Sequence, residues 1–373
     1  NRTGTWSFTN PSGGTIRLSY AAATPDYIWS GASGNWSTGF TPTAPVTDKN
    51  LVFTGSGGTA TNDIASGTLS SINYITFNST AGAYTLNATT GAAGLAGGTA
   101  LTVKGDILNN SSNAQTIAMN LAFGSSSTGG VDTAAGNITI SGNISGTGAL
   151  NKAGNSTLTL TGVNTYTGTT TINAGTLQIG NNSSASIASS SIVNNANLIY
   201  STNISSGTTS LASSITGTGN LTATAKLLKL NGNITQSGNV SLTGSTAGGL
   251  YLSGIELVSD TTITAGNITL TGDLGRNGST AGNLILNTSA TNGAITINAS
   301  VGRSGVWYGV SSFTANAGTG NLTVSGANLA SNWAVNAATL TGALNISSGF
   351  TVNGPLNLNA TGNSSIAGNL ALA

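Results

Sequence analysis

The stretch "GNITLTG", Gly266–Gly272, decides the fold. Ile268 and Leu270 alternate with Thr269 and Thr271, and side chains of a strand point alternately to opposite faces, so the segment reads as a half-buried strand. The pattern returns as "GNVSLTG" (Gly238–Gly244), "GAITINA" (Gly293–Ala299) and "GNLTVSG" (Gly320–Gly326), at steps of 28, 27 and 27 residues. A looser copy, "SGFTVNG", surrounds Gly349. A second column keeps the step, with "LGRNG" at Leu274 and "VGRSG" at Val301, and "GAL" at Gly148 and "GTL" at Gly175 are also 27 apart.

A step of this length that carries several short strands predicts one coil of a β-solenoid, each coil pairing only with its neighbours. The expected fold is all-β, a parallel β-helix of about 27 residues per coil. Val240, Ile268, Ile295 and Leu322 are then one inward ladder, and Leu242, Leu270, Ile297 and Val324 the next. Ser241, Thr269, Thr296 and Thr323 form an exposed hydroxyl ladder, flanked by Asn239, Asn267 and Asn321. Gly and Asn are expected at the corners, where positive φ is cheap for them.

Composition agrees. Only 5% of the 373 residues are charged, against about 25% in an ordinary domain. Stacked columns explain this, because like charges directly opposite one another repel. A net charge of +1 offers no field for nucleic acid or anionic lipid. With no Cys there is no disulfide framework, and with no His there is no Ser-His-Asp constellation and no imidazole metal ligand. No 18-residue apolar run encodes a membrane span. The chain opens on Asn1 without a charged and then apolar leader, and reads as a mature product or an excised part.

The stretch "GTGALNKAGNSTLTLTGVNTYTGTTTINAGTLQIG", Gly146–Gly180, resembles the autotransporter-associated β-strand repeat, also called the passenger-associated transport repeat, in its Gly-x-Leu-x-Lys-x-Gly opening, "LTLTG", "NTYTG" and "AGTL". Upstream, "YIWSGASGNWST", "LVFTGSGG" and "YITFNSTAGAYTLNA" look like the segment that precedes such repeats. The resemblance implies a right-handed parallel β-helix on the surface of a Gram-negative-type bacterium, without catalytic residues or cofactor. The chain divides accordingly into a strand segment (1–26) serving assembly or capping, a solenoid head (27–135), the repeat (136–180) and degenerate coils (181–373).

Candidate chemistry is sparse. Asp26, Asp48, Asp63, Asp106, Asp132, Glu256, Asp260 and Asp273 are the whole carboxylate supply, and Glu256 with Asp260 is the one close pair. Structural roles are expected for them, since isolated surface carboxylates are the norm. Lys226 and Lys229 read as a coil rim, and Arg276 and Arg303 as equivalent corners one coil apart, where an anion could bridge them. Trp6, Phe8, Tyr20, Tyr27, Trp29, Trp36, Phe40 and Phe53 crowd the first sixth of the chain, as a cap over a solenoid end requires. Trp307, Tyr308, Phe313 and Trp333 form a second group, a local bulge or a contact patch.

The expected function is structural and extracellular: a subunit or module of a surface fibre, sheath or adhesin, and not an enzyme. Ice or crystal-surface binding through the Thr ladders, and a polysaccharide-binding adhesin, are the alternatives. The expected partner is a second copy, head to tail, with Trp6, Phe8, Ile16, Leu18 and Tyr20 of one copy meeting Leu356, Leu358, Leu370 and Leu372 of the next. Such a heterologous contact does not close and propagates into a filament. Surface glycans are a further possible partner class.

Overall fold

The computed structural model describes residues 4–9, 17–22, 27–42, 44–125, 129–182, 185–189, 191–203, 207–212, 214–244, 254–272, 274–275, 283–298, 312–325, 333–335, 338–346, 350–352, 356–366 and 370–372. One coil shows the plan. Leu150–Ala153 lies on a first face, Thr157–Leu160 on a second and Val163–Asn164 on a third. The chain then returns to the first face with Thr170–Ile172, to the second with Thr176–Ile179 and to the third with Ser186–Ile187. Each strand pairs in parallel with its counterpart one coil away. The same cycle runs from Tyr27–Trp29 to Leu370–Leu372, giving a three-faced β-solenoid of about 11 turns. Ser312–Ser325 and Ala338–Ile346 each run unbroken round the corner between the first and second faces.

The inward ladders fall where alternation put them. Val240 pairs with Ile268, Ile268 with Ile295 and Ile295 with Leu322, all buried. Leu242, Leu270, Ile297 and Val324 form the neighbouring column, equally buried. Both columns run on towards the start of the chain, one through Leu158, Leu177, Leu198 and Leu221 and the other through Leu160, Ile179, Tyr200 and Ala223.

The step does not hold at 27. Thr139 pairs with Thr159, and Thr159 with Gln178, at steps of 20 and 19, and the coils average about 23 residues. The 27- and 28-residue steps between Ser241 and Thr323 are longer coils of the same ladder, lengthened between strands rather than within them. The match of Gly148 with Gly175 fails for the same reason. Leu150 belongs to the first face, opposite Thr170, whereas Leu177 belongs to the second, opposite Leu158.

Gly and Asn do supply positive φ at turns and strand ends, as at Gly217, Gly254, Asn182 and Asn292, but the repeated glycines serve another end. Gly238, Gly266, Gly293 and Gly320, which open the four repeated strands, do not lie at positive φ. They stack on one another so closely that a Cβ would overlap backbone carbonyl groups of the preceding coil, such as that of Gly266 beneath Gly293. The repeated glycine is there for close approach. Positive φ is needed elsewhere, as at Gly175 (φ 65°), which opens Thr176–Ile179.

The turn between the first two faces is filled with buried amides, which satisfy backbone groups that no strand pairs. Asn109 Nδ2 donates to the carbonyls of Asn113 (3.0 Å) and Asn137 (3.2 Å). Gln115 Nε2 donates to Gly82 and Asn113, and its Oε1 accepts from the Tyr84 N–H. Asn194 Nδ2 donates to the Asn220 carbonyl and to Gln236 Oε1, 2.9 Å each.

The first coil is closed by its own chain. A single helical turn, Trp36–Gly39, leads into Phe40–Thr41, which pairs antiparallel with Tyr27–Trp29, while Leu51–Phe53 pairs in parallel with that same strand. Trp29, Trp36, Phe40 and Phe53 pack edge-on or tilted with ring centroids 5.2–6.5 Å apart. Gly39 lies against the Trp29 indole, where a Cβ would overlap the ring.

Candidate functional surface

The outer side of the second face is the candidate surface. Ser241, Thr269, Thr296 and Thr323 stand in one column, each opposite the next and half-buried among its neighbours. The column extends through Thr222, Ile199, Gln178, Thr159, Thr139 and Thr116, so two larger side chains interrupt its hydroxyls. Beside it runs a column of exposed asparagines that bond along the solenoid axis. Asn267 Nδ2 donates to Asn239 Oδ1 at 2.8 Å, the Asn239 N–H donates to Asn220 Oδ1 at 2.9 Å, and the Ala294 N–H donates to Asn267 Oδ1 at 2.7 Å. These side chains fasten each coil to the last and leave neutral donors and acceptors facing water. These described columns can hydrogen-bond a ligand, and none of their side chains is suited to proton transfer.

Four of the described carboxylates have structural partners. Asp63 accepts from the Ser37 N–H (2.8 Å) and hydroxyl (2.5 Å), which fixes the helical turn. Glu256, almost buried, lies opposite Lys229 and ion-pairs with it at 3.3 Å. Asp260 accepts from the Asn283 N–H and Nδ2, so the two acids of the close pair serve separate contacts. Asp48 ion-pairs with Lys104 at 2.7 Å. Among the described residues no group of three His, Cys, Asp or Glu side chains could hold a metal, and no helix is long and apolar enough to cross a membrane. Asp26, Asp273, Arg276, Arg303, Trp307 and Tyr308 lie outside the described residues. Phe313 is a core residue.

The residues expected at an assembly contact occupy two places. Gly4–Thr9 and Arg17–Ala22 form an antiparallel hairpin that places Trp6 opposite Tyr20 and Phe8 opposite Leu18, and Ile16 lies outside the described residues. The hairpin pairs with no other described strand. Leu356 lies opposite Ala338, Leu358 opposite Leu340, and Leu370 and Leu372 opposite Phe350 and Val352. Leu340 is buried, whereas Leu358 is 36% exposed.

Sequence reasoning missed Lys152. Its side chain is completely buried, and Nζ donates to the carbonyls of Ala153 (2.6 Å), Gly154 (2.7 Å) and Ala174 (3.0 Å). Burial lowers its pKa to about 8, while the nearby Asp132 opposes the shift. The signal was present: alternation in "LNKA" puts Lys152 on the same face as Leu150. A lysine on an apolar face ordinarily snorkels out, and this one instead meets three turn carbonyls.

This buried lysine belongs to the part of the chain that comparison with known families picks out. Residues 150–179 match the passenger-associated-transport-repeat family. Neither curated proteins nor solved structures give a significant match. The matched segment holds two strands of the first face and two of the second, so the family's unit is close to one and a half coils.

Proposed function

We propose that this chain is the structural stretch of a bacterial surface protein, a stiff solenoid that spaces and displays its outer faces and joins end to end with further copies into a fibre or sheath. The repeat and the β-solenoid fold together fit a passenger-like surface protein. The observation that carries the structural reading is the in-register outward column of Ser241, Thr269, Thr296 and Thr323, flanked by asparagines bonded along the axis, with Asp63, Glu256 and Asp260 engaged in packing contacts. About 11 turns at ~4.8 Å each give a rod roughly 50 Å long. End-to-end association is supported by the hairpin of Gly4–Thr9 and Arg17–Ala22, whose strands pair with no other described strand. Exposed strand edges of this kind are templates for another chain.

Electron microscopy of the purified protein tests this. Long filaments that revert to short rods of unchanged circular dichroism when residues 1–23 are deleted are the expected result. Monomeric rods at every concentration would remove the assembly part, and hydrolysis of an offered polysaccharide would remove the structural part.

A further inference from the structure

In a chain with 17 charged residues, four gather at one corner: Asp48, Lys49, Lys104 and Asp106. They lie where successive coils enter the first face. The Asn73 N–H donates to the Lys49 carbonyl (2.9 Å) and the Gly105 N–H to the Asn73 carbonyl (2.7 Å), so three coils stack there in register. Tyr74, on the middle coil, is 41% exposed and is the one aromatic among the large exposed hydrophobic side chains described. The Cδ1–Cε1 side of its ring lies against Gly105, where a Cβ would overlap it. One side of the ring is thus covered by the next coil while much of the rest faces water.

Beside it stands a fixed acceptor. Asp48 sits at φ 65°, a backbone region that non-glycine residues rarely occupy and that clusters at binding sites. Asn73 Nδ2 secures its carbonyl at 2.7 Å. Both of its carboxylate donors, Ser71 Oγ at 2.5 Å and Lys104 Nζ at 2.7 Å, reach the same oxygen, Oδ1. Oδ2 is left to solvent on a side chain 46% exposed, and Lys104, 49% exposed, has further ammonium protons to offer. Those two donors also hold the carboxyl below its ordinary range, so it stays ionised.

We propose that this corner binds a neutral sugar residue of a surface or extracellular polysaccharide. Tyr74 offers a platform for the apolar face of a pyranose ring. Asp48 Oδ2 accepts from one hydroxyl, and Lys104 Nζ donates to its neighbour. A fixed aromatic face with a few oriented polar groups is the usual economy of a small-molecule site. Lys49 and Lys104 are balanced by Asp48 and Asp106, so the corner has no net charge with which to draw a uronic acid.

The test is native affinity electrophoresis of the full chain through gels containing laminarin, dextran or yeast mannan, with alginate as the acidic arm. At least one neutral polysaccharide should retard the protein and alginate should not. Tyr74→Ala should weaken the retardation at least tenfold and Lys104→Ala several-fold, with Tyr74→Phe retaining it and melting temperatures of all three close to wild type. If no neutral polysaccharide retards the protein, if only alginate does, or if Tyr74→Ala binds as well as wild type, the site is not there. None of these outcomes bears on filament formation, so this site and the structural role stand or fall separately.

Discussion

At the scale of single residues, Lys152 ties stability to pH. Its folded pKa is about 8 against 10.5 for an ordinary lysine. Below pH 8 both folded and unfolded chains carry the proton, and folding bears the full cost of burying the charge. Between pH 8 and 10.5 the folded chain sheds the proton first, so stability rises with pH through this window. The difference corresponds to about 3 kcal/mol at 1.36 kcal/mol per pH unit. From about pH 10 the sign turns, because burial raises the phenol pKa of Tyr166 and of Tyr200 and the unfolded chain ionises first. Chemical denaturation followed across pH should show a maximum of stability between pH 8 and 10. Lys152→Met should abolish the rise and keep the fall. A second residue-scale test separates inside from outside on one strand. Ile295→Asp buries a carboxylate without a partner and should cost several kcal/mol, whereas Thr296→Val, half-exposed on the outer side, should cost less than about 0.5 kcal/mol. Equal shifts in thermal melts would reverse the assignment of faces.

At the scale of strands and turns, what the sequence revealed follows from geometry. Alternation in "GNITLTG" is a direct imprint of the pleat, so Ile268 and Leu270 went inward and Thr269 outward without error. The coil length was misread because the register of a solenoid is set by strand pairing, and chain added between strands changes the step without disturbing the ladder. Lys152 was missed because composition treats a lysine as surface, while turn carbonyls able to receive it appear only once the corner is built. The Tyr74 corner was illegible for a related reason, since Asp48 and Lys104 are 56 positions apart and meet only through stacking. The repeated glycine was legible as a position, but its cause was not. That cause, the closeness of the coil below, makes a test. Gly293→Ala should lose about 2–3 kcal/mol through overpacking, since its Cβ meets the Gly266 carbonyl. Gly67→Ala, in a turn with nothing within 4 Å, should be neutral or gain up to ~1 kcal/mol from a stiffer unfolded chain. Urea midpoints of the two variants should therefore move apart.

For the molecule as a whole, the question is how far a local change is felt. In a globular core every element touches several others, and one weakened contact lowers the stability of all. Here each coil pairs with the coil on either side, so stability is close to a sum of nearest-neighbour terms. Phe40 makes a sharp probe of this. It is buried against Trp29, Trp36 and Phe53 on the strand that closes the first coil, and its loss removes a large ring from a filled cluster. Phe40→Ala should cost about 3–5 kcal/mol at that site. Hydrogen exchange should show faster exchange at the amides of Leu51–Phe53, and a smaller effect one coil further at Ile75–Phe77. The amides of Thr176–Ile179 and Asn197–Ser201, several coils away, should exchange as in wild type, because the coils that flank them are untouched. A uniform loss of protection along the chain would show instead that the solenoid unfolds as one cooperative block, and its stability would then be a property of the whole stack rather than of its neighbouring pairs.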